Sequence, residues 1–287
     1  MGKVHFYFDE AGEKGFLEGD FSPEVFGLIA GIALPTRNVA AMNEELQDIF
    51  KELDCTGVNK IHATEIFKNG ANKTIKDRFF SYMATKEEWL LVYEAIYPKG
   101  YIIFNSKSPK RNTTENERYK PSSNPKKERL YNHLLEGIII KLDEICKIEK
   151  STDLLMITDH IDKRLLKEAL NELNYLKQDE HIHKSSAYDT VEDKLVFQTL
   201  TSKIEGFDIA VTNIQTIEIE NSPSYLTLAA DILTNSLYRH FTFKISNRDA
   251  IRLNSNHAIE GFELRSRVAL TDDNYVMDSL YCPTFNG

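Results

Sequence analysis

The sequence predicts an α/β protein: a mostly parallel or mixed β-sheet with helices packed on it. Three observations lead there. Short apolar, β-branched and aromatic runs alternate along the chain with longer stretches of helical periodicity. Two of the short runs are apolar on both faces, as interior strands are. The first strand ends in acids, at the carboxyl edge where open α/β sheets gather ligand groups.

Lys3–Glu10 reads as a strand closed by Ala11-Gly12. Val25–Leu34 is apolar throughout and stops at Pro35, which suits a buried central strand. Val39–Leu53 places Met42, Leu46, Ile49, Phe50 and Leu53 on one helical stripe. Thr74–Ala84 follows as a second helix and Trp89–Tyr97 as a strand ended by proline. The segment Ser106–Asn124 has no periodicity and reads as a loop or insertion. Lys126–Ile148 is the longest helical pattern. Asp153–Thr158 is a short buried strand, Lys163–Leu176 a helix, and Asp208–Glu220 alternates as a strand does. Ser222-Pro223-Ser224 starts a helix over Ser224–Phe241. From residue 244 to 287 the signals are weak, and this stretch is taken as a C-terminal extension of a single domain spanning 1–287.

The bulk numbers fit a globular chain: 287 residues, 41% hydrophobic and 28% charged. No apolar run approaches the roughly 20 residues of a membrane span, and Met1–Phe6 lacks the apolar core of a signal peptide. The three cysteines, Cys55, Cys146 and Cys282, are far apart and show no metal-ligand spacing, so a reducing cytoplasm is the expected location. A net charge of −9 argues against phosphate binding over the whole surface but leaves a local basic patch open.

The chemistry of the chain lies in its acids. On the first strand, alternation puts His5, Tyr7 and Asp9 on one face and Phe6, Phe8 and Glu10 on the other, so Asp9 is the expected site residue. Asp9 is equally well placed to cap the turn at Ala11-Gly12. Asp159 follows the apolar run Leu154–Thr158 in the same way, and it or Asp162 can instead cap a helix. In Leu226–Leu233 only Thr227 and Asp231 are polar, and they share a helical face with Asn235. That face is either a narrow solvated stripe or an acid aimed at the sheet edge. Two strand-end acids and a third on a late helix are a layout that can hold one or two divalent cations, Mg²⁺ or Mn²⁺, whose charge offsets the mutual repulsion of the carboxylates. His62 and Glu65, at i and i+3, can reach one ion or one water, or they mark an exposed helix start capped by Thr64. His181-Ile182-His183 would present a two-histidine zinc pair if it formed a strand, although nothing at matching spacing completes it.

The stretch Phe6-Tyr7-Phe8-Asp9-Glu10-Ala11-Gly12 resembles the "DESG" opening of the domain-of-unknown-function family numbered 3800. The similarity continues through Phe26–Gly31, through Lys60–Phe67 against that family's "HA-x-E" segment, and through Leu155–Asp159 and Leu228–Leu233. Ala11 stands where the family usually has serine, and Leu228 where a glutamine is common. The resemblance implies an RNase H-like fold and, by analogy, a divalent-metal nuclease in which Asp9, Glu65, Asp159 and Asp231 are catalytic metal ligands with Glu10 and His62 beside them. The family's usual company points further, by analogy, to a partner protein in a defence system.

Lys107–Arg129 holds eight basic residues, Lys107, Lys110, Arg111, Arg118, Lys120, Lys126, Lys127 and Arg129, against three acids, a local balance of +5. Such a loop is either simply soluble or a contact for nucleic-acid phosphates, with Tyr119 as a stackable ring. The resulting expectation is a metal-dependent nuclease acting on DNA or RNA. Its two rivals are a non-catalytic RNase H-like binding module and a metal hydrolase of a small phosphoester.

Overall fold

The computed structural model describes residues 2–16, 21, 25–53, 62–98, 119–121, 129–159, 181–202, 213–246, 259–268 and 280–281. Its centre is a mixed sheet. Strand β1 (Val4–Gly12) pairs antiparallel with β2 (Gly27–Pro35), which pairs antiparallel with β3 (Leu90–Ile96). On the other side of β1 lie β5 (Asp153–Thr158) and then β8 (Thr216–Asn221), both parallel to it. The two-residue strand β9 (Leu280–Tyr281) completes the order β8-β5-β1-β2-β3-β9. A separate antiparallel sheet joins β4 (Tyr119–Pro121), β6 (His181–Asp189) and β7 (Lys194–Ser202) in the order β4-β6-β7.

Helices cover both faces of the larger sheet. On one side pack α1 (Thr36–Phe50), α3 (Lys73–Thr85) and the long α5 (Tyr225–Ser246), with the short α2 (Ala63–Ile66) against α5. Their apolar stripes meet Tyr7, Leu28, Ala30 and Ile32 in one core. On the opposite side α4 (Leu130–Ile148) lays Leu134, Leu135, Ile138, Ile139 and Leu142 over Phe6, Phe8, Ile29 and Val92. The alternation of β1 thus serves two cores, and β2 is buried along nearly its whole length because both of its faces are covered.

Close approach of β1 and β2 depends on Gly31. A Cβ there would lie 2.1 Å from the Tyr7 carbonyl oxygen, 2.8 Å from Phe8 Cα and 2.9 Å from the Phe6 ring. Two of these three obstacles are backbone, so the strands would have to part. Gly31→Ala is expected to cost about 3 kcal/mol, the upper end of overpacking penalties. Urea unfolding checks this, and a loss below about 1 kcal/mol would mean that the sheet yields there.

Several expectations need correction. Tyr119–Pro121 lies inside the supposed loop yet pairs with β6. Pro121 is tolerated because β4 is an edge strand. The hairpin β6–β7 has no counterpart in the sequence reading. The strand expected over Asp208–Glu220 begins only at Thr216. Ahead of it, the Asn213 and Ile214 N–H groups donate to the Asp143 carboxylate and the Gln215 N–H to the Thr152 carbonyl, so these donors are unavailable for a ladder. The helix expected over Lys163–Leu176 lies outside the described residues. The start of α5 is as expected: the Thr227 N–H donates to Ser224 Oγ at 3.2 Å and the Ser224 N–H to Thr227 Oγ1 at 2.7 Å, a reciprocal cap. No helix among the described residues is long and apolar enough to cross a membrane.

Candidate functional site

Strand register brings the first two acids together. The last β1–β5 pair is Tyr7 with Ile157, so two residues further Asp9 and Asp159 stand at the same end of adjacent parallel strands. Asp9 points to the face that α5 covers, the face of Tyr7, and there it meets Asp231. Asp231 is only 8% exposed, and Thr227 one turn earlier is 5% exposed. Of the two readings of that helical face, the solvated stripe is therefore excluded. Asp231 and Asn235 of α5 face the cleft at the sheet edge.

Asp9, Glu10, Asp159 and Asp231 line one open cleft of about 290 Å³, together with Ala11, Lys14, His62, Thr64, Thr234 and Asn235. Glu10 shares it although strand alternation assigns Glu10 to the opposite face. Among the described residues β1 pairs only with β2 beyond Tyr7, and there Glu10 Oε1 reaches toward the Lys14 ammonium in the same cleft.

The carboxyls of Asp9 and Asp231 are hydrogen-bonded to each other. Burial above all, then the negative charge of Asp231, and to a lesser extent that of Asp159, raise the Asp9 carboxyl from 3.8 to about 7, against the pull of a hydrogen bond from the Glu10 backbone. Burial also raises the Glu10 carboxyl. The Lys14 ammonium, 3.5 Å from Glu10 Oε1, opposes that shift. Without a counter-charge the Asp9 carboxyl therefore titrates near neutrality.

Asp231 is held from a second direction. The Ala63 N–H, at the start of α2, donates to Asp231 Oδ2 at 2.8 Å, and His62 Nδ1 lies 3.7 Å from the same oxygen. The cap of α2 is thus a carboxylate 168 residues away in the chain, and the alternative of a Thr64 cap is not what is found. Glu65 is exposed on α2 and is not among the residues lining the cleft.

The sequence reading passed over Lys14 and the turn that carries it. Gly12 ends β1 at φ +76°, where a Cβ would meet the Phe26 carbonyl at 2.2 Å and the Tyr238 ring at 2.8 Å. The Glu13 carboxylate then accepts the N–H groups of Lys14 at 3.0 Å and Gly15 at 2.6 Å. The one available signal was position: a lysine in the turn just after an acid-ended strand.

Lys107, Lys110, Arg111, Lys126 and Lys127 lie outside the described residues. Arg129 is described, and its guanidinium lies 4.0 Å from the Phe16 ring centroid. His181 and His183 do fall on a strand, β6, but their side chains lie outside the description. Cys146 is a buried free thiol raised to about 12, by burial first and by Asp143 and Asp153 next, and so it is unreactive. Among the described residues no three His, Cys, Asp or Glu side chains are arranged to hold a metal ion as they stand. Compared with family models, with curated proteins and with solved structures, the chain matches none.

Proposed function

We propose that the cleft hydrolyses phosphodiesters in DNA or RNA with the help of a divalent cation, Mg²⁺ or Mn²⁺, on an RNase H-like scaffold. The observation that carries this reading is the convergence of Asp9, Asp159 and Asp231 from two strand ends and a helix into one cleft, with the Asp9 and Asp231 carboxyls in hydrogen-bond contact. The scaffold reading is supported by the mixed sheet, with an antiparallel run on one side of β1 and parallel strands on the other.

The donor set suits a hard cation. All three aspartates offer carboxylate oxygens, and a divalent charge would take the place of the Asp9 proton. Asp9 and Asp231 would hold it, with Asp159 beside them. A cation bound there would supply Lewis-acid polarisation of the phosphate. The chain's own groups do the rest. The Ala63 N–H fixes the orientation of Asp231, His62 stands beside that carboxylate to accept or donate a proton, and Lys14 brings positive charge toward an incoming phosphate. A small phosphoester is the second reading, favoured by the volume of the cleft, which lies at the lower end of the range for small-molecule sites.

Thermal melting with Mg²⁺ or Mn²⁺, followed by incubation with single-stranded and duplex oligonucleotides and a phosphoester panel, tests both. A cation at about a hundred times its Kd should raise Tm by roughly 5 °C, and oligonucleotides should be cut. Cleavage of small phosphoesters alone selects the second reading. A flat melting response to both ions removes the metal proposal.

A further inference from the structure

The turn after β1 links the cleft to Arg129, the last member of the basic segment. Phe16, at the end of that turn, forms an isolated antiparallel bridge with Arg129, and the Leu130 N–H donates to the Gly15 carbonyl at 2.9 Å. Lys14 and Phe16 are two residues apart, about 7 Å in extended chain. Lys14 lines the cleft, Phe16 two residues on is 40% exposed, and the Arg129 guanidinium stacks on the Phe16 ring. Cation, aromatic ring and cation thus follow one another through the turn and its bridge.

The support beneath this row is built. The Glu13 carboxylate ties down the Lys14 and Gly15 amides, the Glu13 N–H donates to the Phe26 carbonyl at 3.0 Å, and Gly12 takes the positive φ that starts the turn. A turn so fixed holds Phe16 in place two residues beyond the cleft-lining Lys14, with part of its ring open to solvent.

From this juxtaposition we infer that Lys14, Phe16 and Arg129 form a track for single-stranded nucleic acid, in which a base stacks at Phe16 and the flanking phosphates meet Lys14 and Arg129. The inference rests on the proposal that the cleft acts on nucleic acid, and it adds the strandedness of the substrate. Stacking on an exposed ring requires an unstacked base, which a duplex does not offer, and it is tolerant of sequence because every base has a π-face. The charge also fits. Four carboxylates line the cleft and repel a polyanion, so approach depends on cations at the rim, and Arg129 closes a stretch whose sequence balance is +5.

The test is fluorescence anisotropy of the full chain in EDTA, so that binding is read apart from hydrolysis. The probes are a short fluorescein-labelled oligo(dT), its oligo(rU) counterpart and a duplex of equal length. The single strands should bind at least about tenfold more tightly than the duplex. Phe16→Ala should weaken single-strand binding by about fivefold to a hundredfold, the range for losing one stacked base, and Phe16→Tyr should retain it. Arg129→Gln should lower the salt slope of log K by about one. Unchanged melting temperatures of the variants keep a folding defect from passing as a binding one. Equal affinity for single strand and duplex overturns the track, as does a Phe16→Ala variant that binds as the parent does. If oligonucleotides bind or are cut but are indifferent to Phe16 and Arg129, the track falls and the nucleic-acid reading stands. Phe16-dependent binding without cleavage under Mg²⁺ or Mn²⁺ keeps the track and removes the hydrolytic reading. No binding by any probe in EDTA overturns the track, and a lack of cleavage under Mg²⁺ or Mn²⁺ besides removes the nucleic-acid reading with it.

Discussion

Asp9→Asn is expected to abolish the rise in Tm with Mg²⁺ or Mn²⁺, to lower hydrolysis by about 10²–10³-fold, and at the same time to make the cation-free protein more stable at pH 7. The last effect follows from the Asp9 proton. In the folded chain the Asp9 carboxyl titrates near 7 instead of its ordinary 3.8, because of burial first and the Asp231 charge second. Between about pH 4 and 7 the folded chain therefore holds a proton that the unfolded chain has released. The associated stability is fully present below pH 4 and is lost as pH rises through 7. Three pH units correspond to about 4 kcal/mol at the most, and roughly half of that is expected in an open cleft. Asparagine keeps a donor toward Asp231 and has no proton to lose, so the variant's metal-free melting curve should flatten between pH 4 and 7. Melting scans across that range with EDTA or Mn²⁺ read both effects. A variant that keeps the cation response, or a parent with no such pH slope, would contradict the assignment.

The elements that the sequence predicted well are those whose pattern is local. The stripe from Met42 to Leu53, the apolar run of β2 up to Pro35 and the Asp-Leu-Leu-Met-Ile-Thr strand each carry their own period and their own stop. What it missed depends on distant partners. β4 exists because β6 lies beside it, and Asn213–Gln215 leave the strand pattern because Asp143 and Thr152 claim their amides. In the cleft, Asp9 and Asp159 were legible as acids at the ends of apolar strands, and Asp231 as one of two polar residues within an apolar helical run. The hydrogen bond between two of them and the capping of α2 by Asp231 span too much chain for any spacing rule. Glu10 was assigned away from the cleft by alternation along the strand, yet it stands past the last β1–β5 pair, at the strand end onto which the cleft opens.

Lys141→Met is expected to destabilise the protein by about 3–5 kcal/mol, the usual cost of stranding a buried charge. Lys141 on α4 places Nζ 2.7 Å from Glu94 Oε2 on β3 and donates to the Tyr93 carbonyl at 2.6 Å, both side chains being almost wholly buried. The helix is shaped around the pair. A Cβ at Gly137 would lie 2.6 Å from the Glu94 carboxyl, so a residue that costs a helix interior about 1 kcal/mol is kept where alanine would collide. Removing the ammonium leaves Glu94 facing Leu134, Ile138 and the rest of an apolar layer with no counter-charge. The double variant Glu94→Leu/Lys141→Met removes both charges and should recover to within about 1 kcal/mol of the parent. Denaturant unfolding of the parent, the single and the double variants measures the difference, and a single variant that loses less than about 1 kcal/mol would show that the pair is not the anchor of α4. The pair lies on the face of the sheet opposite α5 and Asp231, so the cation-induced rise in Tm should survive in the double variant. A change that breaks the fold can thus be told apart from one that breaks the site.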